Sequence, residues 1–229
     1  MPLFHREFDF APYRLSGVVY GTLINDPRTL EAIGDKASEA PYKSPPKAPV
    51  LYVKPRNTLS HTGAAVSIPV QFDSVQIRAN VGIVIGKTAC RVSESDALSH
   101  VAGYVAINDV ALPHDSFYRP SIRFIARDGY CPIGDEVVPA AAIGDVNALA
   151  INVWIDEQLV HQSSTAGRLR SAAKLLADVT EFMTLQPGDI LMLGFSHSAP
   201  LARAGQHVVI EIEGLGRIEN TVIAEGDAQ

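Results

Sequence analysis

The sequence predicts an α+β domain in which strands dominate, and three observations lead there. Short runs alternate apolar and polar residues with period two, the mark of strands with one face on a core. Only one long stretch, Arg168 to Met183, carries apolar residues at helical spacing. The 15 prolines and 17 glycines are spread along all 229 residues, which favours many turns over long helices. Because the helical segments fall at irregular intervals and not after every strand, the pattern is α+β and not doubly wound.

In chain order, residues 1–15 are polar and aromatic without a clear period and are expected to form an N-terminal arm. Residues 16–229 are expected to form a single domain. Gly17 to Ile24 reads as a strand, and Pro27 to Ala40 as a helix interrupted by Gly34. The segment PYKSPPKAP, from Pro41 to Pro49, is a proline-rich connector, and Val50 to Val53 is a short strand leading into Lys54. Val75 to Ile85 alternates as a strand. Ser93-x-x-Asp96 has the form of a helix-capping box with Asp in place of the usual Glu, and Gly103 is a plausible stop. Tyr104 to Ile107 is the next strand and delivers Asn108 and Asp109 at its end. Ala111 to Gly134 is a long polar and aromatic connection, a length that favours function over plain linkage. Ala148 to Ile155 and Gln158 to Gln162 read as paired strands. Ala172, Leu175, Leu176, Val179, Phe182 and Met183 make one stripe of the clear helix. Ile190 to Leu193 is a buried strand, and His207 to Ile212 with Arg217 to Ile223 form a final hairpin.

Composition excludes several functions. A formal charge of −6 without any Lys/Arg cluster argues against a nucleic-acid partner. Cys90 and Cys131 give neither a disulfide framework nor metal-ligand spacing. The first ten residues, MPLFHREFDF, lack the apolar run of a signal peptide, and no apolar stretch is long enough to span a bilayer. These features lead to the expectation of a soluble, cytoplasmic protein. Ser196-His197 and Ser163-Ser164 lack the glycine-rich elbow of a nucleophilic serine, and Gly214-Leu215-Gly216 lacks the third glycine of a dinucleotide loop. The seven histidines are scattered without metal-ligand spacing.

Alternation across Val75 to Ile85 places Arg78 and Asn80 on one face, two residues apart. By spacing alone this pair is either a solvated strand face or a pair of pocket groups. GIVIGK (residues 82–87) and AGYVAIND (residues 102–109) resemble the signature region of the fumarylacetoacetate hydrolase family. The likeness covers nearly the whole chain, through APYKSPPKAPVLYVKPRNTL, RDGYCPIGDEVVP, INVWIDEQLVHQ, EFMTLQPGDILMLG and EIEGLGRIEN. It implies the family's mixed β-sandwich or β-roll with a few flanking helices. It also implies a carboxylate site for a divalent metal, whose three ligand positions fall on Arg78, Asn80 and Asp109. Only Asp109 is a carboxylate, so no metal is expected in this chain, and Arg78, Asn80 and Asp109 become candidate catalytic positions. Arg78 is expected to pair with Asp109 in the volume where the family keeps its metal.

Lys54 and Arg127 are candidate substrate-binding cations, with exposed loop charges as the alternative. Other departures are the absence of the family's lid histidine, where only Glu31 could stand in, and of a loop lysine, whose position holds Ile125. Gly194-Phe195-Ser196 replaces a Gly-Thr-Pro loop, with His197 beside it. SPPKAP…KPRNTL, NDVALPHDSFYRP and RDGYCPIG resemble the family's isomerase/decarboxylase branch. That likeness implies 5-oxopent-3-ene-1,2,5-tricarboxylate and 2-hydroxyhepta-2,4-diene-1,7-dioate as substrates. It further implies association with a second copy or with a paralogue that carries Mg²⁺ or Mn²⁺. The alternatives are a metal-free binder of a small dicarboxylate and a purely structural paralogue.

Overall fold

The computed structural model describes residues 18–40, 43–114 and 122–227, together with the backbone pairing of two short strands near the N-terminus. Those are β1 (Asp9–Phe10) and β2 (Tyr13–Arg14). Most of the expected arm, and residues 115–121 of the long connection, lie outside the described residues. The chain continues through β3 (Val19–Leu23), α1 (Pro27–Ile33), β4 (Val50–Lys54), β5 (Leu59–His61), β6 (Val66–Ile68), β7 (Val75–Gln76) and β8 (Ala79–Ile85). Next come β9 (Val101–Asn108), α2 (Ile122–Ile125), β10 (Cys131–Ile133), β11 (Val138–Pro139), β12 (Ala150–Ile155), β13 (Gln158–Ser164) and α3 (Ala172–Thr180). The last strands are β14 (Ile190–Met192), β15 (Leu201–Ala202), β16 (His207–Ile212) and β17 (Gly216–Ala224).

Two curled mixed sheets carry the fold. An eight-stranded sheet runs β4-β3-β14-β8-β9-β10-β5, with β11 added on β9, and a five-stranded sheet runs β13-β12-β16-β17-β6. Parallel pairing of β14 with β3, β10 with β5 and β17 with β6 makes both sheets mixed. The central hairpin β8–β9 is buried on both faces, which is why its even positions turn apolar after Asn80. Val81, Ile83 and Ile85 enter the large core between the sheets, where they meet Ile151, Val153, Ile210 and Ile218 of the smaller sheet. Leu175, Leu176 and Val179 of α3 close the same core. On the opposite face, Val84, Val105, Ile107, Ile133, Ile190 and Met192 form a second core.

Local expectations fail where side-chain chemistry is used up by neighbours. Ser93-x-x-Asp96 caps no α-helix: Ser93 Oγ meets Ser95 Oγ at 3.0 Å, and Asp96 accepts from Ser99 Oγ at 2.9 Å. A single 3₁₀ turn over Ala97–His100 follows instead. Gly103 lies inside β9 and stops nothing. The clear helix begins at Ala172, where Ser171 Oγ accepts from Lys174 N at 3.1 Å, and it ends at Thr180. Phe182 of the expected stripe is therefore beyond the helix and exposed. The strand expected over Val75 to Ile85 breaks at Ile77-Arg78, because Ile77 N leaves the ladder to donate to Pro200 O at 2.9 Å. That break sets the geometry of the site.

Candidate functional site

At the break, Arg78 O accepts from Asp109 N at 3.1 Å, which joins the start of β8 to the end of β9. Arg78 turns inward. Its Nε donates to Asp109 O at 2.9 Å, and its Nη2 lies 3.0 Å from Asp109 Oδ1. Lys54, at the end of β4, brings Nζ to 2.8 Å from the same Oδ1. Tyr52, two residues earlier on the same face of β4, donates its hydroxyl to Asp109 Oδ2. Glycine at position 21 makes room for that ring, since a Cβ there would fall 2.0 Å from Tyr52 Cζ. The Arg78 guanidinium also lies 4.6 Å from the Phe195 ring centroid and 5.6 Å from that of Tyr52.

Exposure shows how closed this cluster is: Asp109 and Lys54 are 0% exposed, Arg78 3% and Tyr52 4%. Burial alone would push the Asp109 carboxyl up. The charges of Arg78 and Lys54, then hydrogen bonds from Lys54 and Tyr52, outweigh it and hold the group below its ordinary range. Burial lowers the Lys54 ammonium, against the pull of Asp109, and Arg78 lowers it further. Two cations share one carboxylate, so Asp109 is the group whose ionisation is secured. Burial also raises Tyr52 well above its usual value, which keeps the phenol a proton donor.

The alternative of solvated or loop charges is overturned for Arg78, Asn80 and Lys54. Lys54 also donates to Val110 O at 2.7 Å and to Ile125 O and Tyr130 O, each at 2.9 Å. Its three protons are consumed inside the fold, which corrects the expectation that it grips a substrate. Arg127 stands apart from the cluster, half-exposed, with Nη2 3.6 Å from Glu225. Glu31 lies on the exposed side of α1. Asn80 is 0% exposed; its Oδ1 accepts from Gly194 N at 2.9 Å, while its Nδ2 has no partner among the described residues. Gly194 adopts φ 105°, and a Cβ there would press within 3.1 Å of Asn25.

A second buried carboxylate anchors the wall beside this cluster. Asp26 caps α1, accepting from Arg28 N at 3.0 Å, and also accepts from His197 N at 3.0 Å. Arg28 Nη2 lies 2.7 Å from it, and Arg168 Nη1 3.3 Å. Burial pushes Asp26 up, but the hydrogen bonds from Arg28 and His197, with Arg168 nearby, bring it down to about 2. Arg168 Nη2 donates to Ser196 Oγ at 3.1 Å, so the loop from Phe195 to His197 is held from two sides. Sequence reasoning missed Tyr52, Asp26 and Arg168. Tyr52 had a signal, its two-residue spacing from Lys54, and Asp26 had one in the Asp-Pro step that opens α1. Arg168 had none, because its partners are remote in sequence.

Residues 18–223 match the model of the fumarylacetoacetate (FAA) hydrolase C-terminal family. The chain belongs to the fumarylacetoacetate hydrolase family. It is 38% identical over 92% of its length to a 4-hydroxyphenylacetate degradation bifunctional isomerase/decarboxylase of Escherichia coli, and 38% over 93% to the Salmonella dublin protein of the same description. The chain spans about half of those relatives, 48% of each. The fold is shared with fumarylpyruvate hydrolase from Pseudomonas aeruginosa in complex with Mn²⁺ and pyruvate, at a TM-score of 0.77 and 21% identity. That likeness covers 93% of this chain and 91% of the other.

Within this fumarylacetoacetate hydrolase fold, the residues present do not fit a divalent cation. Both Asp109 oxygens and the Asn80 oxygen already accept hydrogen bonds, and two fixed cations face the carboxylate. Among the described residues no group of three or more His, Cys, Asp or Glu could hold a metal ion. No described helix is long and apolar enough to cross a membrane.

Proposed function

We propose that this chain is a component of an isomerase/decarboxylase of 4-hydroxyphenylacetate degradation, with a metal-free centre built on Asp109, Arg78 and Asn80. Its substrates are then 5-oxopent-3-ene-1,2,5-tricarboxylate and 2-hydroxyhepta-2,4-diene-1,7-dioate. The observation that carries the reading is the 38% identity along 92% of the chain to enzymes about twice its length. A partner of the same fold, either a second copy or a paralogue carrying Mg²⁺ or Mn²⁺, completes the assembly. Both reactions pass through an enol or enolate beside a carboxylate, and a fixed cation can stabilise that developing oxyanion. In this chain the Arg78 guanidinium is the cation placed for that role, because Lys54 has no free donor.

Closure of the Asp109 cluster favours a second reading. A carboxylate buried under two cations and a phenol cannot exchange protons with a substrate, so the chain would bind a small dicarboxylate, or support its paralogue, without turnover. Steady-state assays of the chain alone, the paralogue alone and their mixture, each repeated in EDTA, separate the readings. Turnover by the chain alone in EDTA supports the metal-free centre. Turnover only in the mixture supports the supporting role, and no effect of the chain on any rate sinks the enzymatic reading.

A further inference from the structure

The outer face of the five-stranded sheet carries an anomaly. Ile151, Val153 and Ile155 of β12 enter the large core, so Trp154, the single tryptophan of the chain, points the other way. It pairs with Leu159 of β13 on one side and with Val209 of β16 on the other. Paired residues of antiparallel strands share a face, so Leu159, Trp154 and Val209 form an apolar row across three strands. The register of β12 with β13 shifts at this point and leaves Val160 as an extra residue beside Leu159. Leu159 is 40% exposed and Val160 44%. A sheet face turned to water ordinarily carries polar residues in such a row.

The next row on the same face is polar, and its charges are not matched within the chain. Asn152 pairs with Gln162 and with Glu211, and Glu211 pairs with Arg217 of β17. Glu211 and the exposed Arg217 lie opposite one another, yet neither takes part in an ion pair among the described residues. Glu213 accepts from Ala150 N at 3.0 Å and likewise meets no cation among them. Asn152, Glu211, Glu213 and the turn glycines Gly214 and Gly216 line an open cleft of about 350 Å³. The face therefore presents an apolar centre, an acidic cleft with room for a guanidinium, and an unmatched guanidinium beside that cleft.

We propose that this face is the contact between two copies of the chain, related by a twofold axis. Trp154, Leu159 and Val160 meet their counterparts at its centre, and Arg217 of each copy enters the acidic cleft of the other. A twofold contact uses one patch twice, so the patch must complement itself. Here apolar centre meets apolar centre, and the unmatched cation meets the unmatched carboxylates. An apolar centre built on a tryptophan, inside a polar and charged rim, is the composition of specific protein contacts. A formal charge of −6 makes copies of the chain repel one another, so a self-contact needs cations set against carboxylates. The proposal rests on the reading above only in taking the partner to share this fold, and it requires no turnover.

Sedimentation velocity of the full chain, from nanomolar to high micromolar concentration, tests it together with acrylamide quenching of Trp154. The expected result is a monomer–dimer equilibrium in which Trp154 becomes several-fold less quenchable as the dimer forms. Arg217→Glu and Glu211→Arg should each weaken dimerisation about tenfold, and the double variant should recover it to within about threefold of the wild type. Both positions lie on the outer face of the sheet, so all three variants should fold, as circular dichroism would verify. Recovery in the double variant is a signature that loss of local structure would not give. A wild type that stays monomeric throughout, or that associates with a paralogue and never with itself, overturns the proposal. So does a dimer that both single variants retain unchanged, or one whose formation leaves Trp154 as quenchable as before. Because no rate is measured, these outcomes are separate from those of the turnover assays.

Discussion

Asp109 and Asp26 are both buried carboxylates facing two cations, and they are built for different ends. Asp109 sits under Lys54 and Arg78, whose side chains are 0% and 3% exposed, with Tyr52 on its other oxygen. Asp26 has one buried partner, Arg168, and one arginine, Arg28, whose side chain is 58% exposed. The first is a closed knot just past the end of β9, beside the start of β8. The second is a clamp at a loop junction, tying α1 to the backbone of His197. Interior position makes the Asp109 cluster the more costly to break, because a charge left there has no water to turn to.

The sharpest way to break the contrast is Asp109→Ala, which leaves two cations unpaired in the interior. A loss of about 3–5 kcal/mol is expected in urea denaturation. A loss as small as that of a surface pair would show that the cluster contributes nothing special. Arg78→Ala should cost about 3 kcal/mol, near the low end of that range, because Lys54 still neutralises Asp109. Arg78→Glu combined with Asn80→Glu should instead confer Mn²⁺ binding measurable by calorimetry, by supplying three carboxylates. No binding heat would mean that Lys54 alone keeps the site closed.

Acid sharpens the comparison next. The folded-state pKa of Asp26, about 2, lies below its usual 3.8, and that of Asp109 is also depressed. Their contributions are fully present above about pH 4 and are lost as the pH falls toward each folded value. For Asp26 the loss reaches up to about 2 kcal/mol. Asp26→Asn should therefore flatten the fall in stability between pH 4 and pH 2, read from thermal melts. An unchanged acid limb would place the titration elsewhere. The smallest effect is expected for Arg28→Ala, roughly 0.5 kcal/mol in the same melts, since its charge stays in water.

The sequence by itself determined the period-two strands, the helix stripe of Leu175, Leu176 and Val179, and the motifs that place the chain in its family. Those signals are local: each is carried by residues two to four apart, where backbone geometry decides which side chains share a face. The resemblance to the family implied that two of the family's three metal-ligand positions are not carboxylates here, and charge alone implied that Arg78 needs an anion if it is buried. Tertiary structure decided the rest. The strand break at Ile77-Arg78 exists because Ile77 bonds to Pro200, more than a hundred residues away, and no local pattern encodes that. Lys54 ends β4, and its neighbours gave no sign of burial; four acceptors from three distant segments enclose it. Arg168 and Asp26 likewise come together only across a long separation. Burial of a charge depends on all the segments that surround it, and that sum is formed only when the sheets close on one another.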